Sequence, residues 1–141
     1  MGATGPGTTN LHPMRRSDQR RDAVFACYQR DVTSRDLEVL LDDASPFTRE
    51  LAEGVLEHLE ELDVVIATHA QGWDLDRIAP LERNIMRVAI FEMKYSDDVP
   101  DEVAIDEAVE IAKKYSGTDA PGFVNGILGA AAREAGTAGA K

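Results

Sequence analysis

The chain has 141 residues, 29% of them charged, with a formal net charge of −11, one cysteine and three histidines. A single domain of that length buries roughly two thirds of its unfolded surface without a staple, and one cysteine excludes a disulfide framework. No apolar run approaches the roughly 18 residues of a membrane span, and an acidic surface repels nucleic acid wherever its sign is not locally reversed.

Gly, Thr, Pro and Asn dominate the start, which has neither a basic opening nor an apolar stretch. A signal peptide is not expected there. Residues 1–15 are read as a disordered leader, 16–135 as one helical domain and 136–141 as a frayed tail. Apolar spacing then predicts a first helix from about Ser17 to Thr33, with Val24, Cys27 and Tyr28 inward and Cys27 a buried filler. The segment 15–30 holds five of the fifteen basic residues and carries +3, which leaves −14 for the rest. Arg15, Arg16, Arg20 and Arg21 crowd the helix start, where the macrodipole already disfavours cations. An anion bound at that end would neutralise both. By charge alone the segment suits an RNA or DNA backbone, an acidic patch of another protein, or a solvated helix start.

A short LEVLL helix leads to DDASP, where Ser45 can cap and Pro46 fits the first helical position. One long helix is predicted next, its stripe running through Phe47, Leu51, Val55, Leu59, Leu62 and Ile66. Phe47, Leu51, Val55, Leu59 and Ile85 are expected to be buried. LERNIMRVAIFEMKY is apolar on two sides and predicts a central helix, with ordinary exposed ion pairing as the plain reading of Glu82, Arg83 and Arg87. SDDVPDE opens a further helix. After the YSGTDAPG break, Asp119 can cap the last helix, in which Asn125 and Gly126 imply another helix packed closely against them. Six or seven helices result, in an N-terminal and a C-terminal set meeting near Trp73 to Pro80. The predicted class is all-α.

Catalytic signals are few. His58 and His69 lie eleven residues apart, about 16 Å along a helix axis, and cannot share an ion. GTDAPG lacks the lysine and preceding strand of a phosphate-binding loop. No catalytic residue, metal site or cofactor is expected, and the chain is not read as an enzyme.

Five segments stand in a fixed order: the arginine-rich start into AVFACYQ, FTRELAEGVLEHLEELD, W and L followed by LERNIMRVAIFEM, DVPDEVAIDEAVEIAKKY, and DAPGFVNGIL. Together they resemble the transcription antitermination factor NusB family over about residues 16–130. The resemblance implies two packed three-helix bundles and no enzymatic activity. It implies a cytoplasmic protein of antitermination and ribosomal RNA processing that binds boxA RNA of nascent ribosomal RNA transcripts together with the small-subunit ribosomal protein NusE, joining other Nus factors and RNA polymerase. By the same resemblance Arg15, Arg16, Arg20, Arg21, Tyr28, Asp119 and Phe123 would form the RNA face, and Glu82 would belong to the partner face. Ser17, Asp18 and Gly122 depart from the family's more basic pattern. A helical protein-interaction adaptor or homodimer with little RNA binding of its own is the competing reading.

Overall fold

A computed structural model of the chain describes residues 14–139, with side chains described through Ala135. Among them are seven α-helices, one 3-10 turn and no strand: α1 Arg16–Thr33, α2 Leu37–Leu40, α3 Pro46–Glu57, α4 Leu59–His69, the turn Leu75–Arg77, α5 Pro80–Tyr95, α6 Asp101–Tyr115 and α7 Ala120–Gly139. The all-α expectation is met. The expected leader lies outside the described residues except for Met14 and Arg15, which are exposed and non-helical. Helix α7 continues to Gly139, past the boundary expected at 135.

Local chemistry sets the helix ends. Ser45 Oγ accepts the Thr48 N–H at 3.1 Å, and Pro46 occupies the first turn of α3, so a hydroxyl satisfies one free amide and proline supplies a preset φ. α1 closes on Ser34 at φ 61°, whose N–H donates to the Arg30 carbonyl at 2.9 Å. Gly72 takes φ 82° in the connection after α4, a conformation that costs glycine nothing.

α5 is the axis of the fold. Every residue from Asn84 to Glu92 is buried, and α1, α3, α4, α6 and α7 all pack against it. α1 pairs with α3 on one flank and α6 with α7 on another. Leu51, Leu62, Ile66, Ile85, Met86, Ile90 and Leu128 are sealed from solvent, and each such side chain stabilises the fold by about 1.5–3 kcal/mol. Phe47 and Leu59, expected to be buried, are half-buried at the margin of this core.

The predicted long helix is broken at His58, which has φ −110° and ψ 23° and ends α3 as it begins α4. Its ring stacks on Tyr95 with centroids 4.4 Å apart. The break redirects the chain, so that α3 packs on α1 while α4 packs on α7. One non-helical residue hardly disturbs the apolar phase, which is why the stripe reads as unbroken in sequence. The preceding turn holds Gly54, where a Cβ would overlap the Phe91 ring; hydrogen there lets α3 settle onto α5.

Candidate nucleic-acid interface

The arginines of α1 point in different directions because successive residues on a helix turn by about 100°. Arg15 is exposed and lies 3.9 Å from Asp18. Arg16 is exposed too, with its guanidinium 3.8 Å above the Phe47 ring on the α3 side. Arg21 faces α6. It donates from Nε and Nη2 to Asp22 at 3.2 and 3.0 Å, and its side chain keeps 30% exposure. Burial disfavours the Arg21 cation, but hydrogen bonds to Asp22 and Tyr115 outweigh that and raise its pKa.

Arg20 corrects the sequence reading. It was expected to meet RNA, yet it is only 6% exposed and donates from Nε and Nη2 to the two oxygens of Glu92 at 2.7 and 2.9 Å. Glu107 lies 3.9 Å from its Nη1. Burial alone would lower the Arg20 pKa; the hydrogen bond and charge of Glu92 reverse the sign. The cause is position, for Arg20 precedes Val24 and Cys27 by four and seven residues and shares their inner stripe. Glu92 is 1% exposed on α5 and requires a cation beside it. A guanidinium committed to two carboxylate oxygens inside the protein is not presented to a phosphate.

A second internal network replaces the exposed ion pairing expected on α5. Asp31 Oδ2 accepts from Arg83 Nη2 at 2.9 Å, Asn84 Nδ2 at 3.0 Å and Arg87 Nη1 at 3.0 Å. Arg87 also grips Asp63 with Nε and Nη2 at 2.7 and 2.9 Å. Burial would raise the Asp31 pKa, but hydrogen bonds from Asn84 and Arg83 hold it below the usual carboxylate range. Nearby, burial pushes the Cys27 thiol up to about 12, leaving it a packing group. Arg83 Nη1 reaches the Leu75 and Ile78 carbonyls, both at 3.1 Å, and so holds the segment between α4 and α5 in place.

Half-buried residues of α1, Tyr28 among them although it was expected to face inward, form a belt with residues of α6 and α7. Arg21, Phe25 and Tyr28 follow one another by four and three on α1 and share a stripe. Phe25 meets Tyr115 edge-on, centroids 5.0 Å apart. Arg15, Arg21, Lys114 and Tyr115 line one depression with Glu107 and Glu110. Beyond Tyr115, Ser116 Oγ donates to Glu82 Oε2 at 2.9 Å, tying the start of α5 to the α6–α7 connection. Glu82 then shares a groove of about 390 Å³ with Trp73, Arg77, Asp119 and Phe123. Trp73 meets Phe123 at 5.9 Å and 68°. The Asp119 carbonyl accepts the Phe123 N–H at 3.2 Å at the start of α7.

The structure therefore brings Asp119, Phe123 and Glu82 together, and Tyr115 links them to Arg21 and Phe25 of α1, with Tyr28 half-buried one turn beyond Phe25. Arg15 and Arg16 stand at its end, and Arg20 is withdrawn. Sequence reasoning missed Trp73, Arg77, Lys114 and Tyr115 on this face. The available signal was aromatic: Trp73 is the lone tryptophan and lies outside the apolar stripes, and Tyr115 is the last residue of its helix. Asn125 and Gly126 are exposed, and a Cβ on Gly126 would meet nothing within 4 Å. The helix expected to pack there is absent among the described residues, so that expectation is corrected. Among those residues no three His, Cys, Asp or Glu side chains gather to hold a metal ion, and no helix is long and apolar enough to cross a membrane.

Known proteins share this fold. The chain is 42% identical over 122 residues to the transcription antitermination protein NusB of Halalkalibacterium halodurans, covering 82% of this chain and 91% of that one. It is 41% identical over 121 residues to that of Bacillus subtilis, covering 82% and 92%. The solved NusB of T. maritima superposes with a TM-score of 0.81 at 32% identity, over 87% of this chain and 94% of its own. A structure of antitermination factors NusB and NusE in complex with double-stranded RNA matches with a TM-score of 0.74 at 25% identity, over 86% and 99%. The NusB family model spans residues 16–133, from the first turn of α1 through nearly all the described side chains of α7, and the chain belongs to that family.

Proposed function

We propose that this protein is a transcription antitermination and ribosomal RNA processing factor that binds boxA RNA of nascent ribosomal RNA transcripts together with the small-subunit ribosomal protein NusE. The heterodimer joins other Nus factors and RNA polymerase in the cytoplasm, and no catalytic step is involved. The observation that carries this reading is the belt from Arg15 to Phe123, in which Arg15, Arg21, Lys114 and Arg77 and the exposed rings of Tyr115 and Trp73 line adjoining depressions, interleaved with the carboxylates of Glu107, Glu110, Glu82 and Asp119. Phosphates meet Arg15, Arg16, Arg21 and Lys114, and splayed bases meet the aromatic rings, including Tyr28. Glu82, at the margin of the same groove, lies where the ribosomal protein and the RNA face adjoin.

The acidic remainder gives the protein little non-specific affinity for nucleic acid, so the partner is needed for tight binding. Titrating boxA RNA with the protein alone and with the ribosomal protein present checks this. The expected result is weak binding alone and a gain of at least ten-fold with the partner, lost with a scrambled RNA. Partner binding without any RNA affinity in either arm would instead establish the adaptor reading.

A further inference from the structure

We infer that the groove between α3 and the end of α5 is a docking site for a basic segment of a second protein partner, one that carries arginine beside an apolar side chain. The groove has a volume of about 460 Å³, and its floor is the ring of Phe91 lying over Gly54, where a side chain would collide with it. His58 and Tyr95 also line it, their rings stacked with centroids 4.4 Å apart, and Phe91 lies 5.2 Å from Tyr95. Tyr95 is 44% exposed, so this aromatic cluster reaches solvent. The rim is acidic. Glu50, Glu53 and Glu57 follow one another on α3 by three and four residues and share one stripe. Arg49 Nη1 meets Glu53 at 3.1 Å. Glu50 and Glu57 are exposed and have no ion-pair partner among the described residues.

Charge and shape select the occupant. The carboxylates repel RNA, and a second copy of a chain with a net charge of −11 is repelled by the whole molecule. A purely apolar segment would strip water from the carboxylates and give nothing in return. An arginine answers both features, because its planar guanidinium stacks on an aromatic ring and donates in a fork to a carboxylate. A neighbouring leucine or isoleucine side chain then covers the floor. The site is held ready: the Tyr95 hydroxyl donates to the Glu61 carboxylate at 2.7 Å, and Arg49 Nη2 donates to the Leu41 carbonyl at 2.7 Å. Groups fixed before the ligand arrives lose less freedom on binding. Tyr95 stands about 20 Å along α5 from Glu82, so this site is separate from the face proposed for RNA and the ribosomal protein, and both can be filled at once.

The test uses the full chain and two labelled peptides of equal length, one of arginine and leucine, the other of lysine and serine. The arginine peptide should bind more tightly, with the same affinity whether or not the ribosomal protein is present. Glu50→Gln/Glu57→Gln should weaken that binding by roughly five-fold or more at low salt, the loss of two exposed ion pairs. Tyr95→Ala should weaken it by about three-fold or more, and Tyr95→Phe should keep it. Glu102→Gln/Asp106→Asn, the same charge change at exposed positions of α6 outside the groove, should leave it within about two-fold of wild type. Equal weakening by the two charge variants, or equal affinity for the two peptides, means general attraction to an acidic protein and overturns the proposal. Displacement of the peptide by the ribosomal protein assigns the groove to that partner and overturns it as well. A concentration-dependent dimer of the wild type that Glu50→Gln/Glu57→Gln abolishes assigns the groove to a second copy of the chain, with the same consequence.

Discussion

Arg20→Ala should destabilise the fold by about 3–5 kcal/mol, the cost of removing one member of a buried ion pair. The substitution strands Glu92, which is 1% exposed and has its two oxygens matched to the guanidinium at 2.7 and 2.9 Å. That carboxylate must then hold its charge unpaired in the core or take up a proton, and either course costs free energy that the unfolded chain does not lose. Replacing both partners with apolar residues of similar volume, Arg20→Met with Glu92→Leu, should recover most of the loss. Arg16→Ala, four residues earlier on the same helix, should change stability by less than about 1 kcal/mol. It loses a cation–ring contact over Phe47 at an exposed site and relieves an unfavourable charge at the helix start. Denaturant unfolding of the three variants checks the assignment. Equal, small effects of Arg16→Ala and Arg20→Ala would mean that Arg20 is a surface residue after all.

The second large effect is expected at Asp31. Its Oδ2 accepts from Arg83, Asn84 and Arg87, so Asp31→Ala removes the acceptor shared by three donors on α5. Arg87 keeps Asp63 and Arg83 keeps its two carbonyls, and the Asp31 side chain retains 23% exposure. The loss should therefore sit at the lower end for a broken ion pair, about 3 kcal/mol. The network also gives stability a pH dependence. The Asp31 pKa is lower in the folded protein than in the unfolded chain, so its contribution is complete above the unfolded value of about 4. That contribution fades as pH falls through the folded value. Asp31→Ala should accordingly flatten the acid limb of the stability profile below about pH 4 while lowering stability at neutral pH. An unchanged acid limb would show that the carboxylate is not held by these donors.

These two residues mark the boundary of what the sequence discloses. The all-α class, the two-sided α5 and the Ser45 cap follow from spacing and local hydrogen-bonding chemistry, which act within a few residues. The ion pairs join residues 72 and 52 positions apart, and nothing local pairs Arg20 with Glu92 or Arg83 with Asp31. A partial signal did exist. Arg20 lies on the inner stripe with Val24 and Cys27, and Glu92 on a face with Ile85, Val88 and Ala89; two opposite charges on two apolar faces call for each other. The His58 break was hidden for the opposite reason, because the apolar phase continues across it. Glycine at 126 misled because its low helix propensity was taken as a sign of close packing, whereas the position is open to solvent. At the interface, the resemblance to a family supplied residue positions, while only the three-dimensional arrangement brings Trp73 and Arg77 beside Phe123.

The RNA-facing role proposed for the α1 start is tested most directly by a salt series on Arg15→Ala/Arg16→Ala, with Arg20 kept intact so that the fold is preserved. Wild type and double variant are each titrated with boxA RNA, the ribosomal protein present, at several salt concentrations. Loss of two phosphate contacts to a single strand should flatten the slope of log affinity on log salt by about 1.4 and weaken binding most at low salt. Affinity for the ribosomal protein and unfolding stability should change little. Superimposable RNA titrations of wild type and variant across the salt series would contradict the assignment.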